Sequence, residues 1–248
     1  KRKNPVSLNY YREEGYLKEG LLNFLALMGW SFGENKEIFT IEEMIENFSF
    51  DKISLGGPVF DLVKLGWVNN HHMRLKDLDE LTKLAIPYFV KAGYYADENL
   101  SDEEFSKLRR IVEISREGAH TLKELPEISS IYFEDEFELP VVEEGMNKKA
   151  RKSVERLRNS LETEVGKKSI ELFVEKINAL NEEISEEEAK EILHGLQDEL
   201  GEGPAAVLMP LRAVVTGKAR GADLYTVIAI IGKERTLKRV QNTLEKIK

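Results

Sequence analysis

The sequence predicts an all-α protein, and three observations carry that prediction. Apolar residues return every three or four positions through most of the chain, which places them on one face of a helix. Patterns that start helices recur along it. Alternation typical of a strand occurs only at residues 136–139, and four residues are too few to count. We therefore expect roughly a dozen helices.

Three helix starts share one local pattern. Thr40, Ser101 and Ser185 are each followed three positions later by a glutamate and then by an apolar repeat. The hydroxyl of such a residue accepts a hydrogen bond from the amide three residues on, and the glutamate reaches back to the first amide. Acidic side chains also suit the positive end of the helix dipole. Each pattern therefore predicts the first turn of a helix.

Breaks rich in glycine, proline and polar residues separate the predicted helices. They fall at residues 29–37, 56–58, 93–100, 139–146 and 201–204. The acidic stretch that ends at Pro140 is the strongest boundary signal, and a weaker one lies at 74–77. We therefore predict three domains, covering residues 1–76, 77–145 and 146–248.

Composition predicts a globular protein of the cytoplasm. Hydrophobic residues make up 42% of the 248 residues and charged residues 33%, and there is no cysteine. No apolar run reaches the roughly 18 residues that a membrane helix needs. Lys1–Lys3 is not followed by an apolar segment, so it does not start a secretory signal. We expect an internal segment of a longer chain that is monomeric, cytoplasmic and free of disulfides.

Charge is distributed unevenly along the chain. The net charge is −9, yet residues 205–248 hold nine Lys and Arg against three acids, a net charge of +6. Residues 148–158 form a second basic run, whereas residues 121–145 hold eight acids and one Lys. This asymmetry suits a protein that grips a polyanion at chosen places. From charge alone, a helical protein with charged solvent faces is the favoured interpretation.

Signals for other chemistry are weak. The four histidines have no metal-ligand spacing, and no Ser-His-Asp set is apparent. Residues 201–204 are too short to cradle phosphate and lack the Lys-Ser/Thr pair of a P-loop. We expect no catalytic residue and no metal ligand in this segment.

Several blocks in a fixed order carry a family resemblance. They are residues 10–17 (YYREEGYL), 21–30 (LLNFLALMGW), 58–69 (PVFDLVKLGWVN), 208–217 (LMPLRAVVTG), 221–224 (GADL) and 231–235 (IGKER). In this order they resemble the C-terminal part of bacterial-type glutamyl-tRNA synthetases of class I. Lys18, Gly20 and Ala222 depart from the Pro, Ala and Pro of the family pattern.

The resemblance implies the fold and the parent activity. It predicts a stem-contact helical domain followed by two helical anticodon-binding domains. Lys1 and Arg2 resemble the end of the family's KxSKR loop, whose cations neutralise ATP phosphates. The parent enzyme would use ATP and Mg²⁺ to attach glutamate to tRNA(Glu), and in some members to tRNA(Gln). We expect neither cofactor to bind this segment alone.

The resemblance also assigns residues to the second and third anticodon bases. Arg212 maps to an arginine that holds these bases, together with a loop and helix start that map to Gly221, Ala222 and Leu224. An arginine fork can bind a base edge or a phosphate through two hydrogen bonds. A surface arginine or a salt-bridge partner is the structural alternative for Arg212.

The first anticodon base is read in some members by an arginine of the preceding helical domain. Arg110 and Arg116 are candidates here, with Arg109 as a third. Gly118 occupies the place where an arginine often stands in the family block. Discrimination between tRNA(Glu) and tRNA(Gln) is therefore left open.

Two other functions remain as alternatives. One is a helical protein-interaction module that docks partners through the acidic stretch 121–145. The other is the anticodon cage of a class I lysine–tRNA ligase. A glutamine ligase is disfavoured because its anticodon region is a β-barrel and strand signals are missing here.

Overall fold

The structure, a computed structural model, describes residues 6–33, 35–54, 56–180 and 183–247. These residues form twelve α-helices and three 3₁₀ turns, with no strand among them. One isolated antiparallel bridge joins Trp30 and Ile53. The prediction of an all-α fold is confirmed.

The helices follow one another along the chain. They are α1 (Leu8–Glu13), α2 (Lys18–Leu27), α3 (Ile41–Asn47), α4 (Leu62–Leu75), α5 (Leu78–Lys91), α6 (Asp102–Ser115), α7 (Leu125–Ile128), α8 (Lys148–Glu162), α9 (Glu164–Ala179), α10 (Glu186–Leu200), α11 (Pro204–Thr216) and α12 (Leu224–Ile247). The 3₁₀ turns are Phe50–Lys52, Leu122–Glu124 and Ser130–Tyr132.

All three predicted capping boxes form. The hydroxyl oxygens of Thr40, Ser101 and Ser185 accept hydrogen bonds from amides three residues on, at 3.2, 3.3 and 3.2 Å. The partner glutamates accept from the capping residues' own amides at 2.9, 2.8 and 2.8 Å. The starts of α3, α6 and α10 are therefore set by their local sequence.

The chain divides into two compact units, Lys1–Ser130 and Ile131–Lys248. The acidic stretch 121–145 is thus split between the units. The division into domains at residues 1–76, 77–145 and 146–248 stays a prediction.

Neutral polar side chains organise the interior of the first unit. Asn69 of α4 accepts a hydrogen bond from Leu17 N at 2.8 Å and donates to His120 O at 2.7 Å. Its neighbour Asn70 donates to Ala119 O at 2.7 Å. Both side chains are buried. Because buried backbone groups need partners, these amides join α4 to loops from both sides of it in the sequence.

The second unit is a bundle in which α11 is central. α11 packs against α8, α9 and α12, and α12 packs against α9, α10 and α11. Its core includes Leu157, Phe173, Leu211 and Val227, each fully buried. α12 is kinked at Gly232, whose backbone is not helical.

Candidate RNA-binding turn

Residues 217–223 connect α11 to α12 and form what we call the 217–223 turn. α11 stops at Gly217, whose φ of 64° lies in the left-handed region that favours glycine. Gly217 N donates to Ala213 O at 3.0 Å, and Lys218 N donates to Thr216 Oγ1 at 3.1 Å. The Thr216 hydroxyl donates back to Arg212 O at 2.7 Å. The turn therefore has a defined start.

Arg212 closes the turn from the side of α11. Its Nη2 donates to Ala222 O at 2.9 Å, and its side chain is half-buried. Burial lowers the pKa of Arg212, against the opposing effects of Asp223 and Tyr132. An arginine carries five N–H donors, so this one bond is compatible with binding a further ligand.

Two cations stand open on the turn. Lys218 and Arg220 are exposed, and neither forms an ion pair with any residue that the structure describes. Gly221 has a φ of 148° and lies beside Arg212: a Cβ placed on it would be 3.9 Å from Arg212 Nη1. The turn thus presents positive charge next to backbone that a ligand can approach closely.

The start of α12 completes the site. Val227 N donates to Asp223 O at 3.1 Å, and Tyr225 Oη donates to the Asp223 carboxylate at 2.8 Å. The side chain of Leu224 is only 4% exposed, so it belongs to the core. Leu224 can therefore serve a ligand only through its backbone, in a first helical turn whose amides have no partner within the helix.

Most other described cations near the C-terminus are paired with acids or with backbone carbonyls. We call residues 131–138 the strap, because this segment lies along α12 and is held by its basic side chains. Asp135 forms ion pairs with Arg235 at 2.6 Å and Lys238 at 3.0 Å, and Lys246 pairs with Glu138 at 2.8 Å. Part of the net charge of +6 counted from the sequence is therefore neutralised inside the second unit.

Two further cations of α12 serve the backbone. Lys233 donates to Asn178 O at 2.8 Å and Leu180 O at 2.6 Å, at the end of α9. Arg239 is 1% exposed and donates to backbone carbonyls. Sequence reasoning missed the burial of Arg239 and counted it with the open cations.

The remaining predicted site residues lie apart from this turn in the sequence. Arg110 is exposed on α6, and Arg116 is half-buried at the end of α6, with Nη1 3.4 Å from Lys76 O. Arg109 pairs with Asp79 at 2.5 Å. All three arginines belong to the first unit. Lys1 and Arg2 lie outside the described residues.

The described residues contain no group of three or more His, Asp or Glu side chains that could hold a metal ion. No helix within the described ranges is long and apolar enough to cross a membrane.

Two family models match the chain. The anticodon binding domain matches residues 80–244, which is most of the chain, and class I tRNA synthetases (E and Q), catalytic domain, matches residues 1–67. The chain therefore belongs to the anticodon-binding domain family.

The chain is similar to glutamate–tRNA ligases of several bacteria. The enzyme of Fusobacterium nucleatum is 60% identical over 99% of this chain, and that of Carboxydothermus hydrogenoformans is 40% identical over 98%. These matches span 48% and 47% of the two relatives, so the chain covers about half of their length.

A solved structure agrees with this relationship. The glutamate tRNA ligase of Elizabethkingia meningosepticum, in complex with its amino acid, superposes with a TM-score of 0.73 at 29% identity. The match covers 96% of this chain and 43% of that one. The resemblance found in the sequence is confirmed, and the lysine ligase and protein-interaction alternatives are not favoured.

Proposed function

We propose that the chain is the tRNA-binding C-terminal half of a glutamate–tRNA ligase that recognises the anticodon and stem of tRNA(Glu). The 217–223 turn is the observation that carries this proposal. It combines open Lys218 and Arg220 with the half-buried Arg212, inside the region that matches the anticodon-binding domain family. A glutamine tRNA is a second possible partner in this family.

The turn has the chemistry that an anticodon requires. Bases in a tRNA loop can be unstacked, and their edges and phosphates then become accessible to protein groups. Lys218 and Arg220 would neutralise phosphates, while Arg212 would bind a base edge or a phosphate with its fork. Gly221, Ala222 and the amide of Leu224 would supply close backbone contacts.

Arg212 is pre-positioned for this task. Its bond to Ala222 O fixes the guanidinium against the turn before RNA arrives, which lowers the entropy lost on binding. Its partial burial also strengthens any hydrogen bond that it makes to RNA, because the local dielectric is lower than in water.

The other predicted site residues take their proposed roles from the family resemblance. Arg110 and Arg116 are proposed to contact the first anticodon base, and Lys1 and Arg2 to neutralise ATP phosphates. ATP, Mg²⁺ and glutamate would bind a catalytic domain of the parent enzyme, in the cytoplasm. The segment would contribute binding energy that positions the acceptor end of the tRNA for reaction. We propose that it acts as a monomer.

Titration of tRNA(Glu) into the chain at several salt concentrations tests the proposal. We expect binding that weakens steeply as salt rises, and weaker binding of tRNA(Glu) with altered second or third anticodon bases. Unselective binding of all tRNAs would contradict anticodon recognition.

The role of Arg212 is tested by a matched pair of variants. Arg212→Ala should weaken tRNA(Glu) binding and abolish the preference for the native anticodon. Arg212→Lys keeps the charge but loses the planar fork, so it should retain the salt dependence and lose the preference. Full preference in a folded Arg212→Ala variant would refute the assignment.

A further inference from the structure

One side chain, Arg239, bonds both the strap (residues 131–138) and the end of α11. Arg239 of α12 donates from Nη2 to Ile131 O at 2.7 Å and also to Glu134 O. Its Nη1 donates to Val215 O at 3.2 Å, in the last turn of α11. Arg239 therefore binds three carbonyls from two different segments of the second unit.

Burial of this guanidinium is stabilised by these carbonyls. A buried charge is costly unless hydrogen bonds compensate it, and Arg239 is 1% exposed. Burial lowers the pKa of Arg239 to about 10, so it remains a cation at neutral pH. Its position at the C-terminus of α11 also suits the negative end of that helix dipole.

Two carbonyls in the last turn of α11, just before the 217–223 turn, accept hydrogen bonds from the side chains of Arg239 and Thr243. The last four carbonyls of a helix have no partner within it. Val215 O receives Arg239, and Val214 O receives the Thr243 hydroxyl at 3.3 Å. The end of α11 is therefore capped by side chains from α12.

The strap also touches the turn directly. A Cβ placed on Gly217 would lie 2.4 Å from Cδ2 of Phe137, so the ring fills the space beside the first residue of the turn. The Arg239 guanidinium lies 6.0 Å from the centre of the same ring. At the other end of the strap, Tyr132 is one of the groups that raise the pKa of Arg212 against the effect of burial.

We propose that the strap, fastened by Arg239 and Phe137, positions the 217–223 turn for RNA without touching RNA itself. The inference rests on the proposed function of the turn. Arg239 and Phe137 are thus positioning residues: they hold the end of α11 and the first residue of the turn. Lys218, Arg220 and Arg212 make the contacts.

Two variants separate positioning from direct contact. Arg239→Met removes the fastener, and Phe137→Ala removes the ring without changing any charge. The probe is the anticodon stem–loop of tRNA(Glu), measured by fluorescence anisotropy at four salt concentrations. We expect each variant to bind about tenfold more weakly, because binding to a loosened turn must first order it.

The salt dependence of the RNA affinity distinguishes a positioning residue from one that contacts phosphate. A lost phosphate contact lowers the slope of log K against log salt by about 0.7 for single-stranded RNA. We expect an unchanged slope for both variants. A slope lowered by this amount in Arg239→Met would overturn the positioning role in favour of direct contact. Unchanged affinity in folded Phe137→Ala would overturn it as well.

Arg158→Met is the matched control. Arg158 also donates to a carbonyl of the second unit, Pro140 O at 3.3 Å, beyond the end of the strap. We expect its RNA affinity to stay within twofold of the unmodified chain. Equal losses of RNA affinity in Arg158→Met and Arg239→Met would show that both come from general destabilisation. That result would contradict the specific role of the strap.

Hydrogen exchange of the chain without RNA tests the fastening of the turn independently of the proposed function. The amides of Gly217 and Lys218 are hydrogen-bonded, so they should exchange slowly. We expect faster exchange at 217–218 in Phe137→Ala and no change in Arg158→Met. Failure of the unmodified chain to bind RNA would refute the proposed function, whereas unaltered exchange in Phe137→Ala would refute the fastening.

Discussion

The two units satisfy their buried backbone groups with different polar side chains. In the described part of the first unit the buried side chains that make such bonds are neutral, as in the bonds from Asn69 and Asn70 to the loop at 116–120. In the second unit the donors include cations, and Arg235 and Arg239 bind the carbonyls of Tyr132 and Ile131. The same residue types that attract RNA are used there to hold the fold.

Because of this difference, a Lys or Arg of the second unit does not by itself indicate an RNA contact. Cations on α12 are engaged with the strap, whereas Lys218 and Arg220 stand exposed only a few residues earlier. Screening limits an exposed charge to a range of about 8 Å at physiological salt, so local placement decides which cations a polyanion meets. The turn is therefore a better guide to function than the net charge.

The largest effect is expected from removing the open cations. Lys218→Gln combined with Arg220→Gln should weaken tRNA(Glu) binding roughly tenfold and reduce the salt slope by about 1.4, because two phosphate contacts are lost. Titrations at four salt concentrations measure both quantities. The control pair, Lys238→Gln with Lys246→Gln, removes cations that are already paired with Asp135 and Glu138, so it should leave the slope nearly unchanged. Equal slopes in the two pairs of variants would contradict the distinction between unpaired and ion-paired cations.

The next effect is on stability. Gly217→Ala places a side chain at a φ of 64° and against Phe137, so it should destabilise the chain by about 2 kcal/mol. Urea denaturation measures the change. Gly195→Ala is the matched control, because Gly195 lies inside α10 with open space around its Cβ and should gain about 1 kcal/mol. Two changes of the same sign would contradict this account of Gly217.

A smaller effect is expected from the basic run on α8. Lys148, Lys149, Arg151 and Lys152 are exposed and form no ion pair with the described residues. Changing all four to Gln should weaken binding of whole tRNA about threefold and leave the preference for the native anticodon intact. Binding assays with native and altered anticodons check this. Loss of the preference for the native anticodon would show that α8 also takes part in anticodon recognition.

The smallest effect concerns the first unit. Burial lowers the pKa of His72 from 6.5, and its Nε2 lies 2.9 Å from Asn23 Oδ1. The unfolded chain therefore takes up the proton first as pH falls, so stability is highest above about 6.5 and declines below it. Urea midpoints at pH 8 and pH 5 should show a smaller acid loss in His72→Gln than in the unmodified chain. An identical acid loss would exclude His72 as its source.

Local rules predicted much of this fold. The helix starts at Thr40, Ser101 and Ser185 depend on bonds between residues three apart, so sequence alone contains both partners. The break at 201–204, between α10 and α11, follows from its glycines and Pro204 for the same reason. All-helical architecture needs little more than these signals and the apolar period.

Contacts between residues far apart in the sequence could not be predicted from local patterns. Arg239 binds residues 105 and 108 positions away, and no local pattern distinguishes it from the exposed Arg220. The acidic strap was interpreted as part of a domain boundary because its cationic partners lie far along the chain. Leu224 likewise was assigned from its alignment with the family, which does not reveal that its side chain is buried.

The contact between Phe137 and Gly217 has an evolutionary consequence. A ring at 137 leaves no room for a side chain at 217, so the two positions are not free to diverge independently. Among relatives, a lineage that replaces the glycine, for instance with asparagine, which tolerates the left-handed region, is expected to carry a small residue opposite it. Paired substitution at these two alignment columns would be the inherited trace of this packing.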